Sequence, residues 1–214
     1  MFEQAVKYKD QLYRELSRIG KGLSSDRRLE ILDLLTQAPK TVEEIAKETR
    51  ISVANTSRHL QVLKESRLVK TQRNGNHIIY SLSSPLIIEM VHLLIDIGEN
   101  ELSEMRIIQD EADAADNVKT ISLDQAKKEY QKSLVLDVRP TNEYQAGHVD
   151  SAINIPLESL EKELTTLPKD QQIIVYCRGR LCANSNIAVQ ILNKNGFHAV
   201  SLNSSYYDWR KVSE

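Results

Sequence analysis

The two cysteines of the chain lie five positions apart in one short segment, Cys177-Arg178-Gly179-Arg180-Leu181-Cys182. This segment follows the apolar run Ile173-Ile174-Val175-Tyr176 and precedes a helical pattern from Ala183 to Asn195, so it is predicted to be a strand-to-helix loop. Unpaired N–H groups at the helix start, the helix dipole and the two arginines favour a thiolate there. Because the thiolate is the nucleophilic form of cysteine, the loop predicts a redox or sulfur-transfer pair. The alternative is two ordinary thiols at a strand end.

The composition is typical of a globular protein. The 214 residues are 27% charged and 41% apolar, and they are enough for two small domains. The start has no basic segment leading into an apolar run, and no apolar stretch is long enough to span a bilayer. We therefore expect a cytoplasmic protein, since a reducing compartment keeps both thiols available for chemistry.

Positive charge is concentrated at the front of the chain. Residues 1–82 carry 15 Lys and Arg against 10 Asp and Glu, whereas residues 83–118 carry 1 against 9. A polyanion is therefore expected to bind to the first part of the chain.

The first part predicts four helices and a hairpin. Residues 2–19 carry the apolar stripe of a first helix. A second helix begins at Ser25 and ends before Pro39. The segment Thr41-Val42-Glu43-Glu44 is a capping box that begins a third helix, which runs through Glu48. A fourth helix is predicted over about residues 53–66, with Leu60 and Leu63 facing inward. Residues 68–73 and 76–82 are strand-like and are joined by Asn74-Gly75, a strong hairpin signal. Two short helices followed by such a hairpin predict a winged helix-turn-helix.

Three segments, Ser57-Arg58-His59-Leu60, Leu63-Lys64-Glu65-Ser66 and Ile79-Tyr80-Ser81-Leu82, resemble the ArsR/SmtB family of winged-helix repressors over about residues 8–105. The resemblance implies a homodimer that binds double-stranded DNA at a palindromic operator, with the fourth helix in the major groove and the first and last helices at the dimer interface. The almost wholly apolar residues 86–97 agree with a helix that packs on a partner as well as on its own domain.

The candidate DNA contacts follow from this placement. Arg58 is expected to reach a base edge or a phosphate and His59 a phosphate, while His77 faces either solvent or DNA. The wing is expected to contact phosphates, which give affinity without sequence information. The full candidate set is Ser52 just before the fourth helix, Ala54, Asn55, Ser57, Arg58, His59 and Gln61 on that helix, and Lys70 and Arg73 on the wing.

No metal site is predicted, although members of the resembled family sense metals or metalloids. Thr41 and Glu43 stand where a cysteine pair is expected on the third helix, and the usual ligand positions of the last helix hold Ser84, Leu86, Ile97 and Asn100. Another stripe of the last helix is interpreted as a solvated face, and it consists of Glu89, His92, Asp96 and Glu99.

The acidic residues 99–120 mark the predicted domain boundary, because no apolar stripe follows Ile108. We predict a DNA-binding and dimerisation domain over residues 1–105, an acidic linker over 106–120 and a second domain over 121–214. The second domain alternates strands and helices, with strands expected at 134–138, 152–155, 173–176 and 199–202. This order predicts an α/β fold with a parallel sheet whose site lies at the carboxyl ends of the strands.

The second domain resembles a single rhodanese domain over about residues 120–211. The resemblance is carried by the Cys177 loop and by Asp137-Val138-Arg139, Glu143-Tyr144, Gly147-His148-Val149 and Asn154-Ile155-Pro156. It implies that Cys177 accepts a sulfane sulfur as a persulfide cradled by the loop residues Arg178, Gly179, Arg180, Leu181 and Cys182. Arg178 and Arg180 would stabilise the thiolate and attract a donor such as thiosulfate or polysulfide.

Cys182 is a candidate resolving thiol. It would attack a persulfide on Cys177 and release sulfide, which leaves a disulfide or a longer sulfur bridge. Asp137, Arg139, Glu143 and His148 are expected to be structural supports, and Asp137 and Arg139 are the supporting residues assigned to the site. Related phosphatases imply an arginine six positions after the cysteine, where this chain has Ala183, so phosphoryl chemistry is disfavoured.

Serines depart from the resembled pattern at two sites, and both sites are expected to need altered backbone angles. Ser151 stands where a glycine is usual, and Ser204-Ser205 replace a glycine pair. These departures are expected to weaken the domain as an efficient enzyme.

We predict a dimeric transcriptional regulator, a repressor, whose rhodanese domain senses or transfers sulfane sulfur and which needs no cofactor. The main alternative is a working sulfurtransferase with an autoregulatory DNA-binding domain. A metal- or metalloid-responsive repressor is the weakest alternative.

Overall fold

The computed structural model describes residues 2–116 and 118–211. The chain divides into two compact units, Met1–Asn100 and Glu101–Glu214. None of the helices in the described ranges is both long enough and apolar enough to cross a membrane.

The first unit is a winged helix-turn-helix, as predicted. The predicted helices are confirmed, although the first continues to Leu23, beyond the predicted end at residue 19. The elements in chain order are α1 (Phe2–Leu23), α2 (Asp26–Gln37), β1 (Lys40–Thr41), α3 (Val42–Thr49), α4 (Val53–Glu65), β2 (Val69–Asn74), β3 (His77–Leu82) and α5 (Pro85–Glu101).

Local capping fixes where α3 and α4 begin. The Glu44 N–H donates to Thr41 Oγ1 at 3.2 Å, and the Thr41 N–H donates to Glu44 Oε2 at 2.7 Å, which confirms the predicted capping box. Ser52 caps α4 by accepting from the Asn55 N–H at 3.3 Å. The short connection between α3 and α4 is thus set by residues adjacent in sequence.

The wing differs from the prediction at its turn. The strands form the order β1-β3-β2, and Asn74 pairs with His77, so the two-residue turn is Gly75-Asn76 and not Asn74-Gly75. Gly75 has φ +58°, and glycine at the first turn position is the requirement of a type II′ hairpin. The hairpin is confirmed, but strand pairing places the glycine one position earlier within the turn.

The second unit contains a parallel sheet, as predicted, and the sheet has five strands because β4 joins the four that were expected. The strand order is β4-β8-β7-β5-β6, and every pair of neighbours runs parallel. The elements are α6 (Ser103–Asp116), β4 (Thr120–Ile121), α7 (Leu123–Glu129), β5 (Leu134–Asp137), α8 (Thr141–Ala146), β6 (Ile153–Asn154), α9 (Leu160–Glu163), β7 (Gln172–Tyr176), α10 (Asn184–Lys194), β8 (His198–Leu202) and α11 (Tyr206–Lys211).

The expected acidic linker contains a helix. Residues 103–116 form α6, which belongs to the second compact unit and contacts α10. Met105, Ile108 and Ala112 recur at three- and four-residue spacing, which gives α6 a weakly apolar side despite its negative charge. A composition dominated by acidic residues obscured that spacing.

The central strand β7 positions the cysteine loop. Ile173, Val175 and Cys177 alternate with Ile174 and Tyr176, and these two sets lie in separate hydrophobic clusters on opposite faces of the sheet. Because Cys177 continues this alternation, its side chain is buried in the cluster that includes residues of α10. The strand therefore ends with its thiol beneath the loop that leads into α10.

Candidate functional site

The two cysteine side chains meet in the loop between β7 and α10. Both are free thiols, and their Sγ atoms lie 2.9 Å apart, which is hydrogen-bonding distance for sulfur. Cys177 is only 1% exposed, whereas Cys182 is partly exposed. The Cys182 N–H donates to the Gly179 carbonyl oxygen at 3.0 Å, and this bond curls the loop so that its two ends approach each other. The sequence-predicted pair is therefore brought together in the fold.

The surroundings of the loop favour the thiolate form of Cys182 over that of Cys177. A hydrogen bond from the Cys177 thiol lowers the pKa of Cys182 to about 6, and the Asn184 N–H and the charge of Arg178 act in the same direction. The same hydrogen bond, together with burial, raises the pKa of Cys177 well above its ordinary value. Cys182, the sulfur nearer the start of α10, receives the backbone donor and is less buried than Cys177.

The two loop arginines have carboxylate or amide partners. Arg178 donates to both carboxylate oxygens of Glu143, at 2.6 and 2.9 Å, and Glu143 is completely buried. Arg180 donates to Gln109 Oε1 at 3.2 Å and lies 3.9 Å from Asp113 Oδ2. Arg178 still favours the thiolate form of both cysteines by its charge. However, these partners reduce the positive potential that an anionic donor would meet.

Asp137 and Arg139 form a buried ion pair at the end of β5. Arg139 Nη2 donates to Asp137 Oδ2 at 2.6 Å and to the Gly147 carbonyl oxygen at 2.8 Å. Burial alone would lower the pKa of Arg139, but the hydrogen bonds and the charge of Asp137 raise it. His148 Nδ1 lies 2.9 Å from the Tyr144 carbonyl oxygen and the His148 ring stacks on Tyr144. These contacts tie together the loops that follow β5 and α8.

A cleft of about 290 Å³ opens beside Cys182, between α6 and the cysteine loop. Its apolar wall includes Met105, Ile108 and Leu181, and its polar side includes Arg180 and Asp113. All of these residues belong to the second unit. The cleft gives a small molecule a route to the partly exposed Cys182 thiol.

Sequence reasoning missed the contribution of α6 to this site. Asp113 accepts from Asn186 Nδ2 at 3.0 Å and from Asn203 Nδ2 at 3.4 Å, and Gln109 accepts from Arg180. The spacing of Met105, Ile108 and Ala112 was the available signal, but nothing in the sequence indicates which surface that stripe contacts.

The two serine departures have different outcomes. Ser151 adopts φ +63°, so it keeps the left-handed backbone that glycine accepts at lower cost. Ser205 N–H and Oγ both donate to Asp208 Oδ2, at 2.8 and 2.7 Å, and this arrangement caps the start of α11. Gly179 has φ +112°, and an added Cβ would lie 3.3 Å from Ser205 Cβ. Ser205 is thus packed directly against the cysteine loop.

The predicted DNA-contact residues of α4 form an outward surface with one partial exception. Thr56, Leu60 and Leu63 form the buried side of α4. The exception is His59, which is predicted to face outward but is half-buried. Ala54, Arg58 and Gln61 are spaced four and three residues apart, so they lie on one helix face. The exposed members of the predicted set are Ser52, Ala54, Asn55, Ser57, Arg58 and Gln61.

The wing residues Lys70 and Arg73 are both exposed. Their odd spacing along β2 places them on opposite faces of the hairpin. Arg73 Nε donates to the Gly75 carbonyl oxygen at 3.1 Å, which holds this guanidinium at the wing tip. His77, at the start of β3, is also exposed.

The polar stripe of α5 is not uniformly solvated. Glu89 and Asp96 are exposed, but His92 is 8% exposed, so its assignment to a solvated face was wrong. Its neighbour Val91 is also buried, because α5 turns this side toward its own unit. Within residues 2–116 and 118–211, no group of three or more His, Cys, Asp or Glu residues is arranged to hold a metal ion.

Comparison with known proteins agrees with both halves of this arrangement. The family model described as "Bacterial regulatory protein, arsR family" matches residues 25–71, and the "Rhodanese-like domain" model matches residues 122–212. The HTH-type transcriptional regulator Rv0324 of Mycobacterium tuberculosis is 33% identical over 203 residues, which cover 94% of this chain and 90% of that protein. The chain belongs to the ArsR family. It is an ArsR-type transcriptional regulator with a winged helix-turn-helix and a C-terminal rhodanese domain.

Each half of this ArsR-family chain also has partial relatives. The putative sulfur carrier protein YrkF of Bacillus subtilis is 31% identical over 105 residues, which cover 47% of this chain and 55% of that protein. The first half is similar to the solution structure of a homodimeric winged helix-turn-helix DNA-binding domain from Mycobacterium bovis. That match has 33% identity and a TM-score of 0.43, and covers 45% of this chain and 89% of that domain.

Proposed function

We propose that this ArsR-type regulator is a homodimeric repressor that releases its operator when sulfane sulfur oxidises the Cys177–Cys182 pair. The observation that carries the proposal is the 2.9 Å separation of the two Sγ atoms in a loop closed by backbone hydrogen bonding. A disulfide needs an S–S distance of about 2.05 Å, so the two sulfurs must approach by only about 1 Å. The pair is placed to pass from two thiols to a sulfur bridge with little backbone movement.

Exposed apolar surface on α1 and α5 supports dimerisation. Eleven large apolar or aromatic side chains on these helices are at least 37% exposed in the single chain. Exposed apolar surface of this extent is typical of a protein–protein interface. The residues are Phe2, Val6, Tyr8, Leu12, Tyr13, Leu16 and Ile19 on α1, and Leu86, Leu93, Leu94 and Ile97 on α5.

The exposed face of α4 and the basic wing support DNA binding. Arg58 presents a guanidinium on the same face as Ala54 and Gln61, a combination suited to base edges in the major groove. Lys70 and Arg73 supply charge for phosphate contacts, which depend on salt and not on sequence. A dimer would present two such helices to two half-sites of a palindrome.

In the proposed mechanism, α6 transmits the change at the cysteine loop along the chain toward the DNA-binding half. Gln109 and Asp113 of α6 face Arg180 of the cysteine loop, so any shift of the loop changes contacts made by α6. Only Leu102 separates the end of α5 from the start of α6 in the chain. A ligand alters a conformational equilibrium only through contacts that differ between the states, and the Arg180 contacts are the ones that loop oxidation would alter.

The test is a DNA-binding titration on a palindromic fragment from the protein's own upstream region. Four samples are compared: reduced protein, polysulfide-treated protein, and the Cys177→Ser and Cys182→Ser variants after the same treatment. We expect treatment to weaken operator binding by about tenfold or more in the wild type, and both variants to retain the affinity of the reduced protein. Equal affinity of treated and reduced wild type, with the bridge verified by mass spectrometry, would refute the proposal.

A sulfurtransferase with an autoregulatory DNA-binding domain is the second candidate. The cleft at Cys182 favours it, because an open route to the thiol suits repeated arrival of a donor and an acceptor. Steady turnover of a sulfur donor with unchanged DNA affinity would select this function over sensing.

A further inference from the structure

We propose that Cys182 is the first sulfur acceptor, and that the cleft between α6 and the cysteine loop binds a small organic persulfide as the donor. Cys177 then acts second, as the resolving thiol. This inference rests on the proposed function and reverses the order that the rhodanese resemblance implied.

Access separates the two sulfurs. Among the described residues that line the cleft, Cys182 supplies the thiol. Cys177 is 1% exposed and packs within the hydrophobic cluster beneath the cysteine loop. Sulfur exchange requires the attacking sulfur to approach the S–S bond of the donor directly, so access limits which thiol reacts. A donor in the cleft meets Cys182 first, and Cys177 is reached across the 2.9 Å gap between the two Sγ atoms.

The charge distribution agrees with this order. The Cys182 thiolate accepts a hydrogen bond from Cys177 and another from the Asn184 N–H at the start of α10. Cys177 keeps its proton, so it is the weaker nucleophile until Cys182 has reacted. Once the Cys182 thiolate is consumed, the hydrogen-bonding partner that kept Cys177 protonated is gone.

The lining of the cleft favours an organic persulfide over thiosulfate. Met105, Ile108 and Leu181 offer an apolar wall to the organic group. The charge of Arg180 is already shared with Gln109 and Asp113, and the Asp113 carboxylate itself faces the cleft. Thiosulfate is a dianion, so the Asp113 carboxylate and the Cys182 thiolate would repel it with little compensating positive charge. A persulfide presents a singly charged or neutral sulfur terminus and is repelled less.

The chemistry balances without an added oxidant. The Cys182 thiolate attacks the terminal sulfur of R–S–SH, a Cys182 Sγ–S bond forms, the donor S–S bond breaks, and its electron pair leaves with the thiolate RS⁻. The Cys177 sulfur, after losing its proton to solvent, then attacks Cys182 Sγ and expels hydrosulfide. The net reaction converts two thiols and one persulfide into a disulfide, one thiol RSH and one H₂S, so the persulfide is reduced and the cysteine pair is oxidised.

The test uses reduced full-length protein with cysteine persulfide as the probe, and intact-mass and peptide mass spectrometry as the readout. Cys177→Ser is expected to gain one sulfur atom on Cys182 at an initial rate within about twofold of wild-type consumption of the probe. In Cys182→Ser, sulfur is expected to load onto Cys177 at least about tenfold more slowly than it loads onto Cys182 in Cys177→Ser. Equal loading rates in the two variants, or faster loading of Cys177, would overturn the order. Thiosulfate at the same concentration should load the wild type about tenfold more slowly, and an equal rate would overturn the donor class.

A matched pair of surface variants tests the cleft. Ile108 lines it and is 67% exposed, whereas Ile107 is 54% exposed and lies outside it, so neither change to glutamate removes a core residue. Ile108→Glu should slow loading from cysteine persulfide several-fold, while Ile107→Glu should leave it unchanged. Equal rates in the two variants would refute the cleft as the donor site. Operator binding of the same samples separates the ideas: if loading begins at Cys182 but DNA affinity never changes, the proposed function fails while the loading order stands.

Discussion

The ion pair between Glu143 and Arg178 anchors the first residue after Cys177, and Glu143→Gln tests how much that anchor stabilises the domain. The substitution keeps the size of the side chain and one acceptor oxygen but removes the negative charge. Glu143 is completely buried and the Arg178 side chain is 14% exposed. Breaking a buried pair from one side costs about 3–5 kcal/mol, because the remaining charge is left uncompensated. Since water reaches part of Arg178, we expect a loss near the lower end, about 3 kcal/mol.

The assay is urea unfolding at pH 7 followed by fluorescence of Trp209. This is the chain's one tryptophan, and it is buried in the second unit beside Tyr130, so its signal reports on the rhodanese domain. Glu161→Gln is the control, because it removes an exposed carboxylate of the same domain and is expected to change stability by less than about 0.5 kcal/mol.

The double variant Glu143→Gln/Arg178→Met supplies the decisive comparison. It removes both charges, so it should recover much of the stability that the single variant loses. A single-variant loss below about 1 kcal/mol, or a double variant no more stable than Glu143→Gln, would show that the pair does not anchor the loop in the way its geometry indicates.

Three further outcomes are expected. The rate of Cys182 alkylation by iodoacetamide should increase as pH rises through about 6. Cys177→Ala should move the midpoint of this pH–rate profile upward, because the strongest hydrogen bond to the Cys182 thiolate is lost. A midpoint that does not move contradicts this. Ser151→Gly should stabilise the domain by about 0.5–1 kcal/mol in the Trp209 assay because φ is +63°, whereas Ser133→Gly, at φ −120°, should not; equal effects count against backbone strain. Lys70→Ala should reduce the salt dependence of DNA binding by about one counterion, on operator and unrelated DNA alike. Arg58→Ala should instead weaken operator binding by about 1–3 kcal/mol more than it weakens binding to unrelated DNA. Fluorescence anisotropy at several salt concentrations measures both effects, with Lys194→Ala as the control.

Much of the fold was predictable because it depends on neighbours in sequence. The capping box at Thr41 and Glu44 is a local hydrogen-bond exchange, and the spacing of Leu60 and Leu63 assigns the buried side of α4. The continuous apolar run Ile173-Ile174-Val175-Tyr176 indicates a strand buried on both faces. A loop with two cysteines after such a strand was therefore identifiable as a chemical site before any contact was known.

The wing turn and His92 show where local signals become insufficient. The pair Asn74-Gly75 predicts a hairpin, but the register between β2 and β3 places the turn at Gly75-Asn76. Similarly, the polar residues on α5 appear equally solvated by spacing, and only packing within the unit buries His92. In both cases partners that are distant in sequence decide the outcome.

The sequence by itself determined the two modules, their order and the presence of a dithiol loop, because propensity, periodicity and loop chemistry are properties of short segments. Only the tertiary structure decided which thiol is the more accessible, which carboxylate binds Arg178, and that α6 forms a wall of the site. The pKa of Cys182 depends on a sulfur five residues away and on the start of α10, and Arg178 meets Glu143 across 35 positions. Electrostatic and packing energies of this kind are set by distances between side chains, and folding alone sets those distances.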